Sequence, residues 1–272
     1  MNVAYTTNSW GTVYGSPAAM NNINGAYYLA SSQLTEVIPQ IGKAGFDSVE
    51  IFDGNLLEYE GKKSELENLL KSSGTTLMGS YVAGNFIYDE ILPEELFRIE
   101  KAASFAATLG AKFLTVGGGA TRYNGRKESD YAKMGAALDK VCEICDRLGI
   151  VAAYHPHMGS LVQSAEEIDK LMSHTLMPLC PDIAHIALAG SDPVAVVKKY
   201  TNRIPLVHLK DLTKEGMFCP LGMGIIDIPG VIAALKDVSP QYAVECDGYS
   251  GDPYEGAVHT YKYLEQALFN SL

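Results

Sequence analysis

Four of the six histidines in this 272-residue chain stand where short apolar runs end. His155 and His157 lie in Tyr154-His155-Pro156-His157, His185 follows Asp182 in a D-x-x-H spacing, and His208 opens His208-Leu209-Lys210-Asp211. A fourth run ends in Glu245-Cys246-Asp247. Imidazole nitrogens and carboxylate oxygens together suit Mn2+, Co2+, Zn2+ or Fe2+, whereas Mg2+ and Ca2+ favour all-oxygen shells. Donors from separate strand ends can converge on one ion and leave coordination positions open for a substrate. Taken singly, each residue has a plainer role. An Asp after a strand is commonly a helix N-cap, and a strand-end His can be a hydrogen-bonded core residue. Asp53 and Asp247 each precede Gly and read as turn residues. His174 and His259 read as a loop residue and a residue of the last helix. The joint pattern selects His155, Asp182, His208 and Glu245 as a metal-ligating set.

The elements that must position these residues alternate regularly. Strands are expected at Val3–Thr6, Ser48–Phe52, Thr76–Val82, Phe113–Gly117, Val151–His155, Met177–Asp182, Leu206–Leu209 and Tyr242–Cys246. Helical periodicity fills the intervals at Gln33–Ala44, Lys62–Lys71, Pro93–Leu109, Asp130–Leu148, Ala165–Leu171, Pro193–Tyr200, Pro229–Lys236 and Pro253–Leu268. In KAGFDSVEI, TLGAKFLTV and RLGIVAAYH a helix-stopping glycine precedes the strand. Eight such units in one chain of this length, with no linker, imply a single (β/α)8 barrel over residues 1–272; an open doubly wound sheet is the competing architecture. Gly117-Gly118-Gly119 and Gly222-x-Gly224 lack the spacing of a dinucleotide fingerprint and read as tight loops. Barrel enzymes carry their chemistry at the carboxyl ends of strands. There the first three strands present Asn8-Ser9-Trp10, then Glu50 and Asp53, then Gly84-Asn85-Phe86. The rings of Trp10, Tyr81, Phe86 and Tyr154 near these ends could pack on a sugar's apolar face.

Composition excludes several classes. With 21 Lys+Arg against 32 Asp+Glu, the formal charge is −11, which disfavours nucleic acid and anionic membranes. Apolar residues make up 47% and mean hydropathy is +0.02, as expected of a globular protein and not of a disordered one. No apolar run approaches the ~20 residues of a membrane span, and MNVAYTTNSW lacks the blocks of a signal peptide, so a cytoplasmic location is expected. Five cysteines do not make a disulfide framework, and Cys142-x-x-Cys145 lies in a helical segment. A homo-oligomer is left open.

The strand-end segments resemble the xylose-isomerase-like (β/α)8 superfamily of sugar isomerases, epimerases and apurinic endonucleases, and more narrowly the inosose dehydratases of inositol catabolism. The resemblance rests on YHPHMGSLVQSAEEIDKLM at 154–172, PDIAHIALAGSDP from 181, NRIPLVHLKDL at 202–212, PLGMGIIDIPGV at 220–231 and YAVECD at 242–247, with YVAGNFIYDEI at 81–91 more weakly. It implies a divalent ion, Mn2+ or Co2+ first and Zn2+ or Fe2+ next, held by His155, Asp182, His208 and Glu245. Many members carry Glu where His155 stands, so His157 is the alternative strand-five ligand. The implied chemistry is enediolate formation on a keto-cyclitol or keto-sugar, with His157 as base and Lys210 and His185 assisting. Trp10, Glu50, Asn85, Phe86, Tyr154 and Asp211 are the candidate substrate contacts. Loss of a β-hydroxyl makes this a lyase. Reprotonation would make it an epimerase or isomerase, and a glycosidic leaving group a 3-oxo-glycoside lyase. A metal-free sugar-binding barrel is the non-enzymatic alternative.

Overall fold

The computed structural model describes residues 3–10, 13–14 and 27–269. Seven parallel strands form one nearly closed barrel. Their spatial order is Val151–Tyr154, Phe113–Gly118, Thr76–Gly84, Ser48–Phe52, Val3–Thr6, Gln241–Val244 and Leu206–Leu209. The first strand lies between the last and the second, with Ala4 opposite both Ala243 and Ser48. These strands are almost wholly buried, as expected of a parallel sheet covered by helices on its outer face.

The helices supply that cover through apolar stripes. Helix Leu34–Ala44 buries Leu34, Val37, Ile38, Ile41 and Ala44, one face at 3.6-residue spacing. The three helix–glycine–strand repeats close as the sequence implies. Gly45, Gly110 and Gly149 have φ of 114°, 86° and 70°, and the next residue's N–H reaches back to Ile41, Ala106 and Cys145 respectively.

One expected strand differs. Residues 177–182 fill the eighth place between Tyr154 and His208, but through the isolated bridges Tyr154–Leu179 and Asp182–His208 and not through a ladder. Pro178 and Pro181 have no N–H to donate, so only their carbonyls take part, accepting from Tyr154 N at 2.8 Å and His208 N at 3.1 Å. Short elements that periodicity did not register also occur: hairpins pairing Val13–Tyr14 with Leu29–Ala30 and Asp211–Leu212 with Phe218–Cys219, and helices Asp53–Leu57 and Ile183–Leu188.

Barrel interiors fill in layers because alternate strand residues point inward. Ala4, Met78, Ala153, Cys180, Leu206 and Ala243 pack together with Phe113 as an apolar floor. Two residues further along the same segments stand Thr6, Ser80, His155, Asp182, His208, Glu245 and Thr115, all buried. The polar layer that could do chemistry thus rests directly on an apolar plug.

Candidate metal centre and active site

The ligand atoms of His155, Asp182, His208 and Glu245 all lie within 4.8 Å of one another. His155 Nε2 is 3.2 Å from Asp182 Oδ2 and 3.8 Å from Glu245 Oε2, and His208 Nδ1 is 2.8 Å from Glu245 Oε2. All four are buried. Asp182 does double duty, since its Oδ1 also caps helix Ile183–Leu188 by accepting from Ala184 N and His185 N. Behind them Glu50 receives hydrogen bonds from the hydroxyls of Thr6, at 3.1 Å, and Thr115, and faces His208 Nε2 at 3.1 Å.

This chemistry fits a divalent ion. Two imidazoles and two carboxylates cannot sit in an apolar interior without partners that offset their desolvation. His208 Nε2 and His155 Nδ1 are buried without an aligned hydrogen-bond partner. Burial would depress the His208 imidazole, yet Glu50 and Glu245 outweigh it and raise it to about 10. Burial would raise Asp182 and Glu245, yet the neighbouring Lys210 ammonium and the imidazoles hold both well below the usual carboxylate range. The carboxylates of the cluster are thus held ionised, and its mixed imidazole and carboxylate donors suit a divalent cation.

A second group lies immediately beside the first. His157, His185 and Asp247 also bring ligand-type atoms within 4.8 Å of one another, with the two imidazole rings 3.7 Å apart. Lys210 joins the clusters: its Nζ is 3.0 Å from Asp182, 2.9 Å from Glu245, 2.7 Å from Asp247 and 3.2 Å from His185 Nε2. Burial opposes its charge, but Asp182, Asp247 and Glu245 raise it well above the ordinary lysine range. His157 is the opposite case. Burial and the His185 and Lys210 charges lower it to about 4, so it is neutral at pH 7. Its Nδ1 lies 2.7 Å from the Met158 carbonyl, which assigns the ring proton to Nδ1 and leaves the Nε2 lone pair free.

Above these residues opens a cavity of about 830 Å3. Trp10, Asn85, His157, Glu245 and Asp247 line it. Four other candidate substrate contacts stand outside that lining. Glu50 is fully buried beneath the cavity, where it holds His208. Phe86 is buried at φ 64° with its ring against Gly84. Tyr154 donates its hydroxyl to the Gly118 carbonyl at 3.0 Å and so braces the cavity wall. Both carboxylate oxygens of Asp211 accept backbone N–H groups, from Leu212, Gly222, Gly224 and Ile226, and so tie down the loop that follows. Sequence shows the residue types at these places but not their partners.

Two residues of the site were not among the candidates. Asn8 donates to Glu245 Oε1 at 2.7 Å and to Asp247 Oδ1. Asp247, expected to be a turn residue, holds Lys210 at the cavity wall. A signal existed: Asn8, His157, Lys210 and Asp247 each stand two residues beyond a member of the polar layer.

Residues 38–266 match the sequence model of the xylose isomerase-like TIM barrel. The chain belongs to that family. Within it, the chain is similar to an inosose dehydratase of Geobacillus kaustophilus (strain HTA426), 28% identical over 268 residues that cover 85% of this chain and 84% of the relative. A Bacillus cereus (strain AH820) inosose dehydratase is 25% identical over 92% of this chain and 95% of its own length. Among solved structures, an L-ribulose 3-epimerase superimposes with a TM-score of 0.76 at 15% identity, covering 99% of this chain and 95% of that one. A probable 3-DHS dehydratase of Bacillus anthracis gives 0.74 at 15% identity, covering 97% and 98%. At such identities these structures speak for the barrel alone. Among the described residues no helix is long and apolar enough to cross a membrane.

Proposed function

We propose that this xylose isomerase-like barrel is a divalent-metal-dependent lyase that dehydrates a keto-cyclitol or keto-sugar, as the name of its inosose dehydratase relatives suggests. The observation that carries this reading is the pairing of the His155–Asp182–His208–Glu245 cluster with a separate His157–His185–Asp247 cluster, joined by one buried lysine. Mn2+ or Co2+ suits the first cluster, with Zn2+ or Fe2+ next, and a cytoplasmic location remains the expectation. A divalent ion there supplies Lewis acidity toward a ketone oxygen and the hydroxyl beside it.

The chain's own residues do the rest. His157 Nε2 accepts the α-proton, since that nitrogen is unprotonated and the imidazole neutral. The electron pair released from the C–H bond passes through the enediolate and expels the β-hydroxyl. Lys210, held charged, returns a proton through Asp247 at the cavity wall, so the hydroxyl departs as water. Asn8 fixes Glu245 and Asp247 relative to each other.

The placement of proton-transfer groups favours elimination over epimerisation. Epimerisation by two groups requires an acid and a base on opposite faces of the carbon. Here the imidazoles and the carboxylate outside the ion cluster are gathered within 4.8 Å of one another. The test is incubation of metal-loaded protein with 2-keto-myo-inositol in D2O. Growth of an ultraviolet enedione band is the expected outcome. Deuterium appearing in unchanged or epimerised ketone, without that band, would reassign the site to an epimerase.

A further inference from the structure

Where strand Thr76–Gly84 ends, the chain is fastened residue by residue. The Ala83 carbonyl accepts from Arg98, the Gly84 carbonyl from Gly119 N at 2.9 Å and the Asn85 carbonyl from Ala120 N at 3.0 Å. Phe86 then takes a left-handed backbone, φ 64°, which is strained for a bulky side chain. Gly84 makes room for its ring, since a Cβ there would fall 2.8 Å from the ring carbons. Strain of this kind persists only where the surroundings over-determine it, and it gathers at functional sites.

Glu95 completes the fastening. It lies in the first turn of helix Leu92–Thr108 and is buried, whereas Glu94 beside it is exposed. Its Oε1 accepts from Asn85 N at 2.6 Å and from Asn85 Nδ2 at 2.9 Å, and its Oε2 accepts from Phe86 N at 3.1 Å. Three N–H donors on one carboxylate offset the cost of burying it. Two of them hold the strained backbone, and the third holds a side chain.

That third bond fixes a direction. A carboxylate only accepts, so the end of the Asn85 carboxamide that faces Glu95 is the NH2, and the oxygen points the other way. Asn85 is only 5% exposed, yet it lines the cavity. Among the described residues no donor reaches its Oδ1, and that atom is not sealed from solvent. This wall therefore offers the cavity an acceptor whose orientation is dictated from behind. A hydroxyl can donate to such an oxygen, whereas a group with lone pairs alone is repelled by it.

We propose that Glu95 is a positioning residue that fixes the Asn85 carboxamide with its oxygen toward the cavity, and that Asn85 thereby selects ligands with a hydroxyl donor at that point of the ring. This deepens the reading of the site as one for a keto-cyclitol or keto-sugar and rests on it. A Gln at position 95 could turn either an oxygen or an NH2 toward Asn85. The carboxamide would then be free to turn over and offer its own NH2 to the cavity. Selection would be lost although the side chain that performs it remains.

Binding tests this apart from turnover. Trp10, the single tryptophan of the chain, lines the cavity, so its fluorescence reports occupancy. Mn2+-loaded protein is titrated with myo-inositol and with each of its monodeoxyfluoro derivatives, none of which carries the reacting ketone; fluorine keeps the lone pairs of the hydroxyl it replaces and loses the donor. At least one derivative is expected to bind about tenfold more weakly than myo-inositol, as an unmet buried acceptor implies. For that same derivative Glu95→Gln should bring the ratio toward one, and Glu94→Gln, on the exposed side of the same turn, should leave it at the parent value. Asn85→Ala, which keeps both backbone N–H groups on Glu95, is the second variant and should also bring that ratio toward one. No saturable response to myo-inositol, no weakened derivative in the parent, or a parent-like ratio in Glu95→Gln or Asn85→Ala would overturn the proposal. Enedione formation from 2-keto-myo-inositol with a ratio indifferent to Glu95 would leave the lyase standing and this inference rejected. A Glu95-dependent ratio without α-proton exchange would do the reverse.

Discussion

At the scale of single residues, the proposed mechanism assigns binding of the ion and movement of protons to separate side chains. His157 has its Nδ1 committed to the Met158 carbonyl and its Nε2 free, and it belongs to the cluster beside the ion ligands. His157→Ala should therefore lower kcat by roughly 10²–10⁴-fold, the usual worth of a positioned base. Metal content of the purified variant should be unchanged. Full activity at normal metal content would remove His157 from the base role, and lost metal would make it a ligand in place of His155. Lys210 is the complementary case, a buried ammonium touching two ligand carboxylates and Asp247. Lys210→Met leaves those charges uncompensated, which typically costs about 3–5 kcal/mol. Urea denaturation of the metal-free variant should show a loss of that order, and saturating Mn2+ should recover much of it by replacing the missing positive charge. A variant as stable as the parent without metal would contradict the role given to the ammonium.

At the scale of elements, the sequence made most of the frame legible because barrel strands end where the chemistry-bearing residue types recur. The four cluster members and the helix-closing glycines could be read for that reason. What stayed hidden was partnership. Asp53 and Asp247 have the same signature, an Asp before Gly at a strand end, yet one is paired with Arg98 in the interior and the other borders the cavity beside Lys210. Only the fold brings Arg98 and Lys210 to those places, from 45 and 37 residues away. The extended stretch 177–182 was misread as a ladder strand because its apolar pattern outweighs two prolines in a periodicity argument. Asp211 looked like a substrate contact by position alone. Its carboxylate instead holds Leu212, Gly222, Gly224 and Ile226 by their N–H groups, so Asp211→Ala would strand several donors at about 1–3 kcal/mol for each one left buried. Its urea midpoint should fall clearly, while myo-inositol affinity per folded molecule stays close to that of the parent. A variant with normal stability and lost affinity would return Asp211 to the substrate.

At the scale of the whole molecule, the formal charge of −11 acquires a location. Glu50, Asp182, Glu245 and Asp247 crowd one buried region, and Lys210 and a protonated His208 are the cations in contact with them. An ion of charge +2 bound there would displace the proton that Glu50 and Glu245 hold on His208, so that three positive charges would face the four carboxylates in place of two. A ligand that binds the folded chain and not the unfolded one stabilises by RT ln(1 + [L]/Kd), about 2.7 kcal/mol at a hundredfold excess over Kd. Exhaustive chelation should thus lower the melting temperature by several degrees, and stoichiometric Mn2+ or Co2+ should restore it with proton release measurable in weakly buffered solution. Mg2+ should restore it poorly, because two imidazoles are inferior ligands for that ion. Identical melting curves with and without chelator would argue that Lys210 and His208 hold the carboxylates in place without an ion. The barrel would then bind its sugar without an ion.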